Sequence, residues 1–265
     1  MRSPEPVYLQ ILDTTVCAHG PVAIADALRR LWAPFVVEAT EQAQLRYEFN
    51  DIIVREDGTS LHPPPGGELA AFAADLNAEV LARCADLAIH AGVVAWGDRI
   101  VAFPAVSGMG KSTLTGACLR EKATYLSDEA LVLRPPGAVR PYARPLTLSP
   151  WSARYLGCTG RSLQSADDCF VTPDALGAAG GEGSHVEIGD LVFISREVGS
   201  VQLRRMSPGL AITTLFERSF NAWKAPERAL GTVTAVASAA RIWLMTYSDA
   251  TEAARQLATL PRSNS

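Results

Sequence analysis

Ser107-Gly108-Met109-Gly110-Lys111-Ser112-Thr113 and, 17 residues beyond its lysine, Asp128-Glu129 at the end of Tyr125-Leu126-Ser127 are the stretches on which the fold reading turns. The first matches the core of a Walker A phosphate loop. Glycines let the backbone curl so that successive N–H groups face phosphate oxygens, and a helix starting near Lys111 aims its positive end at the same spot. Lys111 is placed to reach β- and γ-phosphates, and the Ser112 hydroxyl to ligate Mg²⁺. The nucleotide site therefore comprises Ser107, Gly108, Met109, Gly110, Lys111, Ser112 and Thr113. The full pattern places its first glycine at position 105, where this chain has Ala105.

The flanks suit such a loop. Val93 to Trp96, Gly97-Asp98 and Arg99 to Phe103 read as two strands joined by a two-residue turn. A helix is expected over Lys111–Glu121 and a strand over Tyr125–Leu133. Asp128 and Glu129 close a short apolar run, as a Walker-B-like strand requires. The short spacing suggests a strand beside the one that enters the loop, with its acids facing the phosphates. Together with Ser112, these acids form the candidate Mg²⁺ set. His90 is expected to open the hairpin's first strand, either as a histidine satisfied by backbone or as a group that orients or charge-balances the acidic base.

Further out, Val7–Leu12 and Leu45–Val54 have strand character, and Pro21–Trp32 has helical spacing. Gly58–Gly67, with Pro63, Pro64 and Pro65, marks a loop. The apolar spacing of Glu68–Leu87 predicts an amphipathic helix. Arg134–Pro145 holds four prolines and a glycine and is expected to be irregular. Gly177–Ser184 reads as a flexible loop. Strands over Val186–Ile194, Val201–Leu203 and Ile242–Tyr247, with helices over Pro208–Phe220 and Ala250–Leu260, complete an α/β chain. Residues 1–67 form a small N-terminal α/β module and 68–265 the larger domain.

Composition narrows the class. With 48% apolar and 20% charged residues over 265 positions, the chain has the makings of a folded core. A net charge of −4 provides no general attraction to nucleic acid or an anionic membrane. No transmembrane run or signal peptide is visible. Cys17, Cys84, Cys118, Cys158 and Cys169 are scattered without a CxxC pair, which reads as reduced thiols and a cytoplasmic protein. The four dispersed histidines give no histidine-based metal site. A homo-oligomer is compatible with all of this.

His90-Ala-Gly-Val, the hairpin, the 107–113 loop and Tyr-Leu-Ser-Asp128-Glu129 together resemble the catalytic domain of HPr kinase/phosphorylase. They resemble more closely the HPr-kinase-like kinases encoded in lasso-peptide clusters. The resemblance implies a P-loop HPr-kinase/PEP-carboxykinase-like core that moves the γ-phosphate of ATP to a hydroxyl. It also implies that Lys111 and Ser112 bind ATP and Mg²⁺, that Asp128 is the base, and that His90 lies nearby. The motifs span about 40 residues. Glu129 stands where the family has a second Asp, and whether it or Glu187 serves the metal stays open. The Leu-Glu-Ile-Arg-Gly stretch of true HPr kinases is absent; Val186-Glu187-Ile188-Gly189 lacks its arginine.

The acceptor implied is a serine of a ribosomally made peptide in natural-product biosynthesis, or a small-molecule alcohol. The alternative class is a P-loop ATPase or nucleotide-binding regulatory module without a phosphorylated acceptor. No Asn-Lys-x-Asp motif supports GTP. Arg140 and Arg144 read as exposed loop arginines, with a phosphate or substrate clamp as the alternative; Arg196, Arg204 and Arg205 read as solvated strand-edge charges, with sensing of the γ-phosphate as the alternative. Trp96, Trp151, Trp223 and Trp243 are expected in the core or an interface rather than as nucleobase platforms. Cys118 is expected to be buried.

Overall fold

The computed structural model describes residues 5–106, 108–181 and 188–261. Ser107, His185, Val186 and Glu187, like the end of the expected flexible tract, lie outside the described residues. Among the described residues the chain is mixed α/β, with seven α-helices and three sheets.

The N-terminal sheet begins with a hairpin of β1 (Val7–Ile11) and β2 (Thr14–His19), followed by α1 (Val22–Leu31) and the edge strand β3 (Val36–Val37). Then come β4 (Leu45–Phe49), β5 (Ile53–Arg55) and β6 (Ser60–Leu61), in the sheet order β3-β1-β2-β4-β5-β6. The single strand expected over 45–54 is thus two antiparallel ones, because the chain reverses at residues 50–52. Alternate residues of β1 and β4 are buried, as the two-residue period of a strand requires.

Helix α2 (Glu68–Arg83) starts after the proline-glycine loop and buries Leu69, Phe72, Leu76 and Val80 in one core with this sheet. It stops at Arg83 rather than Leu87. The buried Asn221 side chain donates to the carbonyls of Cys84 (3.0 Å) and Asp86 (2.9 Å) and accepts from the Ala88 N–H (3.0 Å). These bonds satisfy backbone groups that a helix terminus leaves open, and they turn the chain into β7.

The large sheet is built on β7 (Leu87–Trp96) and β8 (Arg99–Pro104), paired from Ala91↔Pro104 to Trp96↔Arg99 across the expected Gly97-Asp98 turn. After α3 (Lys111–Arg120) come β9 (Thr124–Ser127), β10 (Ala130–Arg134), β11 (Ala138–Arg140), β12 (Leu146–Leu148), α4 (Pro150–Tyr155), β13 (Leu163–Ser165) and β14 (Asp168–Val171). The rest is β15 (Ile188–Arg196), β16 (Gln202–Arg205), α5 (Pro208–Glu217), α6 (Pro226–Ala239), β17 (Arg241–Tyr247) and α7 (Ala250–Ala258). The order is β11-β10-β7-β8-β15-β17-β16, with β9 also on β7; β12, β14 and β13 form a small third sheet. The proline-rich 134–145 stretch is not wholly irregular, since β11 forms within it.

β15 runs parallel to β8 and β17, and both faces of this sheet are covered. Val94, Val101 and Phe103 pack with α3 and α7 on one face. Val93, Ala95 and Ala102 pack with α5 and α6 on the other, which is why these strands read as continuous apolar runs. The five cysteines are free and buried, Cys118 among them. No helix of the described residues is long and apolar enough to cross a membrane.

Two expectations about the acids and His90 change. The expected strand over 125–133 is broken into β9 and β10, both antiparallel to β7. The Ser127 hydroxyl accepts from the N–H groups of Glu129 (3.2 Å) and Ala130 (3.0 Å), a local side-chain bond that competes with the ladder and separates β9 from β10 at Asp128-Glu129. The acids' neighbour is therefore β7, and β8 lies one strand further away. His90 does not open its strand; it is the fourth residue of β7 and faces Ala130 across the ladder.

Glycine at position 92 lets α3 sit this close to β7. A Cβ there would come within 2.4 Å of Thr115 Oγ1 and 3.3 Å of Lys111 Cγ. Gly92→Ala is expected to cost about 1–3 kcal/mol, the range for overpacking. Urea denaturation measures it; an unchanged midpoint would mean that α3 does not need this contact.

Candidate functional site

The loop between β8 and α3 uses its glycines where side chains would not serve. Gly108 and Gly110 have φ of 83° and 86°, the left-handed region that favours glycine. A Cβ on Gly110 would also meet the Tyr247 hydroxyl at 2.9 Å. Gly110 caps α3, so the helix begins at Lys111 as expected.

Lys111 is only 7% exposed and Asp128 1%. Their charged atoms are 3.7 Å apart, and the Lys111 ammonium also donates to the Asp128 main-chain carbonyl. Asp128 Oδ1 is buried with no hydrogen-bond partner. Burial raises the Asp128 carboxyl above the ordinary carboxylate range, opposed by the Lys111 charge and by a hydrogen bond with Ser112.

Beside this pair, His90 Nε2 lies 3.6 Å from Glu129 Oε1, and Arg144 Nη2 3.4 Å from Glu129 Oε2. Burial, reinforced by the Lys111 charge and opposed by the Glu129 carboxylate, lowers the His90 pKa from its ordinary value.

Lys111, Ser112, Thr113, His90 and Glu129 all line one cavity of about 640 Å³. Asp128 is buried and does not belong to its wall. Of the candidate nucleotide residues, Gly108 and Gly110 also line it, and Ser107 is outside the described residues. Met109 packs partly buried against the hydrophobic core under α3. The Thr113 hydroxyl is 2.8 Å from that of Ser152 on α4.

Several residues of the wall were not singled out from the sequence. Ala70, Ala73, Ala74 and Asn77 come from α2, and Asp168 and Phe170 from β14. Arg144, read as an exposed loop residue, is 6% exposed, with its Nε buried and unpartnered. Arg140 belongs elsewhere: it bonds Asp13 (2.8 Å) and Asp86 (3.2 Å), linking the β1–β2 turn to the start of β7. Trp151 and Trp223 are not core residues, being 50% and 72% exposed. Arg204 and Arg205 do lie exposed on the edge strand β16.

Among the described residues no cluster of three or more His, Cys, Asp or Glu is arranged to hold a metal. A divalent ion shared with phosphates needs fewer protein ligands. The residues fit that case: Ser112 and Glu129 line one cavity, and Asp128 Oδ1, 3.7 Å from the Lys111 ammonium, accepts no hydrogen bond. No family model matches the chain, and no curated protein matches it either.

The buried pair sets a stability test. Removing one partner strands the other charge in the interior, at a cost of about 3 kcal/mol or more. Lys111→Met and Asp128→Asn are each expected to lower stability on that scale, and the double variant by clearly less than their sum. Denaturant titration of all four proteins checks this; strict additivity would show that the two side chains do not interact.

Proposed function

We propose that the chain is an ATP-dependent phosphotransferase with an HPr-kinase-like P-loop core, passing the γ-phosphate of ATP to an acceptor hydroxyl. The observation that carries this reading is the buried Lys111–Asp128 pair set at the start of α3 under a loop with two left-handed glycines. A lysine at that place is a charge held ready for phosphate, and the buried acid beneath it has raised proton affinity.

In this reading the acceptor hydroxyl approaches along the wall of His90, Glu129 and Arg144. Its oxygen forms a bond to the γ-phosphorus while the bond to the bridging oxygen of ADP breaks. The hydroxyl proton passes to Asp128, and Lys111 with the loop N–H groups offsets charge on the transferring group. Ser112, Asp128 and Glu129 would hold a Mg²⁺ ion, which supplies charge neutralisation to the phosphates when bound. Drawing Lys111 towards phosphate would release Asp128 Oδ1, now 3.7 Å from the ammonium, for the acceptor hydroxyl. Catalytic hydrogen bonds commonly tighten only in the substrate complex, so the present burial of Asp128 suits a base of this kind.

A second reading assigns the base to Glu129, because Glu129 already stands on the cavity wall with His90 beside it. The acceptor class proposed is a serine of a ribosomally made peptide from a natural-product pathway, with a small-molecule alcohol as the alternative.

The test incubates the protein with ATP·Mg²⁺ and peptides or metabolites of its own gene neighbourhood, and reads a gain of phosphate by mass spectrometry. Wild type is expected to give product, with Lys111→Ala and Asp128→Asn each reducing the rate by at least 10²-fold, the lower end for losing a general base. Equal product from Asp128→Asn with loss in Glu129→Gln would move the base to Glu129. ATP hydrolysis with no phosphorylated acceptor would support the ATPase alternative instead.

A further inference from the structure

A second, smaller cavity of about 150 Å³ adjoins the first around Gly110, Thr113, Trp151 and Arg196, which line both. Its remaining walls include Tyr155, Tyr247 and Asp249. The chemistry of the two spaces differs. The larger holds Lys111, His90, Glu129, Arg144 and Asp168, whereas the smaller gathers two tyrosines and a tryptophan around one carboxylate and one guanidinium.

Trp151 is half exposed. Its indole stacks on Tyr155 with centroids 5.1 Å apart and planes within 15°. The Tyr155 hydroxyl in turn donates to Asp249 Oδ2 (3.0 Å) and accepts from the Thr251 N–H (3.1 Å), so the N-terminal turn of α7 fixes the pair. An aromatic ring so anchored, yet left open to solvent at a cavity mouth, is a platform for another flat ring. The anionic end of such a ligand is also decided by position. Thr113 is the residue of α3 that lines both spaces, whereas Lys111 lines the larger one and not the smaller.

We propose that the smaller cavity is the nucleoside subsite, with the base of a nucleoside triphosphate lying on Trp151 and its phosphate chain crossing the Gly110–Thr113 edge towards Lys111. This rests on the nucleotide reading above. It leaves the His90, Arg144 and Asp168 end of the larger cavity to the acceptor. Arg196, at the end of β15, flanks the crossing point, where a cation offsets phosphate charge. Asp249 is the group placed to accept from an exocyclic amine of the base.

Binding of ATP and of inorganic tripolyphosphate, each with Mg²⁺, to wild type, Trp151→Ala and Trp151→Phe distinguishes the base from the phosphates. Trp151→Ala is expected to weaken ATP roughly tenfold, the scale of one base–aromatic stack, and to leave tripolyphosphate unchanged. Trp151→Phe is expected to recover most of the ATP affinity. Equal ATP affinity in wild type and Trp151→Ala overturns the subsite, as does an equal loss for both ligands, which would assign Trp151 to holding the loop. Wild type that binds neither ligand overturns the nucleotide reading itself, and the subsite with it.

Discussion

A lysine and an aspartate buried together at the root of α3 constrain everything around them. Taking both charges out of water is costly, and their attraction offsets the cost only if the surrounding backbone keeps them in place. That explains why α3 is held hard against β7 at Gly92, and why the ladder on β7 is interrupted at Asp128. Without the interruption Asp128 would continue the pleat of a strand buried on both faces. The Ser127 hydroxyl bonds make the break, so a small polar side chain next to the acid decides where the acid stands. A pair assembled at such cost, with a buried carboxylate oxygen that accepts no hydrogen bond, is better suited to reactivity than to stability.

The N-terminal module is joined to this centre rather than appended to it. α2 buries its apolar face with the first sheet, and the same core continues into Ala88, Ala130 and Val132 of the large sheet and Phe170 of β14. Trp32 meets both Phe72 and Phe170, at 5.8 and 6.1 Å between ring centroids. Ala70, Ala73, Ala74 and Asn77 of α2 in turn form part of the wall of the cavity that Gly108 and Gly110 also line. Small side chains there leave room. An acceptor bound there would touch both parts of the chain.

Much of this architecture could be read from local pattern. The hairpin from Val93 to Phe103 carries its turn chemistry in Gly97-Asp98, and α3, α5, α7 and β17 fall within a few residues of their expected positions. Apolar period and turn residues act over short range, so one sequence suffices for them. The misreadings come from interactions between distant residues. Nothing near Arg83 announces that Asn221 will turn the chain, and nothing near Asp128 tells which strand lies beside it. Arg144 in a proline-rich loop has the look of a solvated charge; it is buried because Glu129, Tyr125 and Tyr142 come to surround it. Trp151 has the opposite history, an aromatic that composition assigns to the core but that α4 presents to a cavity. Of the site residues drawn from the motif, Gly108, Gly110, Lys111, Ser112, Thr113 and Glu129 meet on one cavity with His90, whereas those contributed by α2, β14 and α4 had no spacing that links them.

Nucleotide binding by the glycine loop is the claim on which the rest depends. Calorimetric titration of ATP·Mg²⁺ into wild type and into Lys111→Ala, each first shown to be folded by circular dichroism, tests it most directly. Saturable binding with one site per chain is expected for wild type, and none over the same range for Lys111→Ala. No binding to wild type, or the same affinity in both proteins, would contradict it.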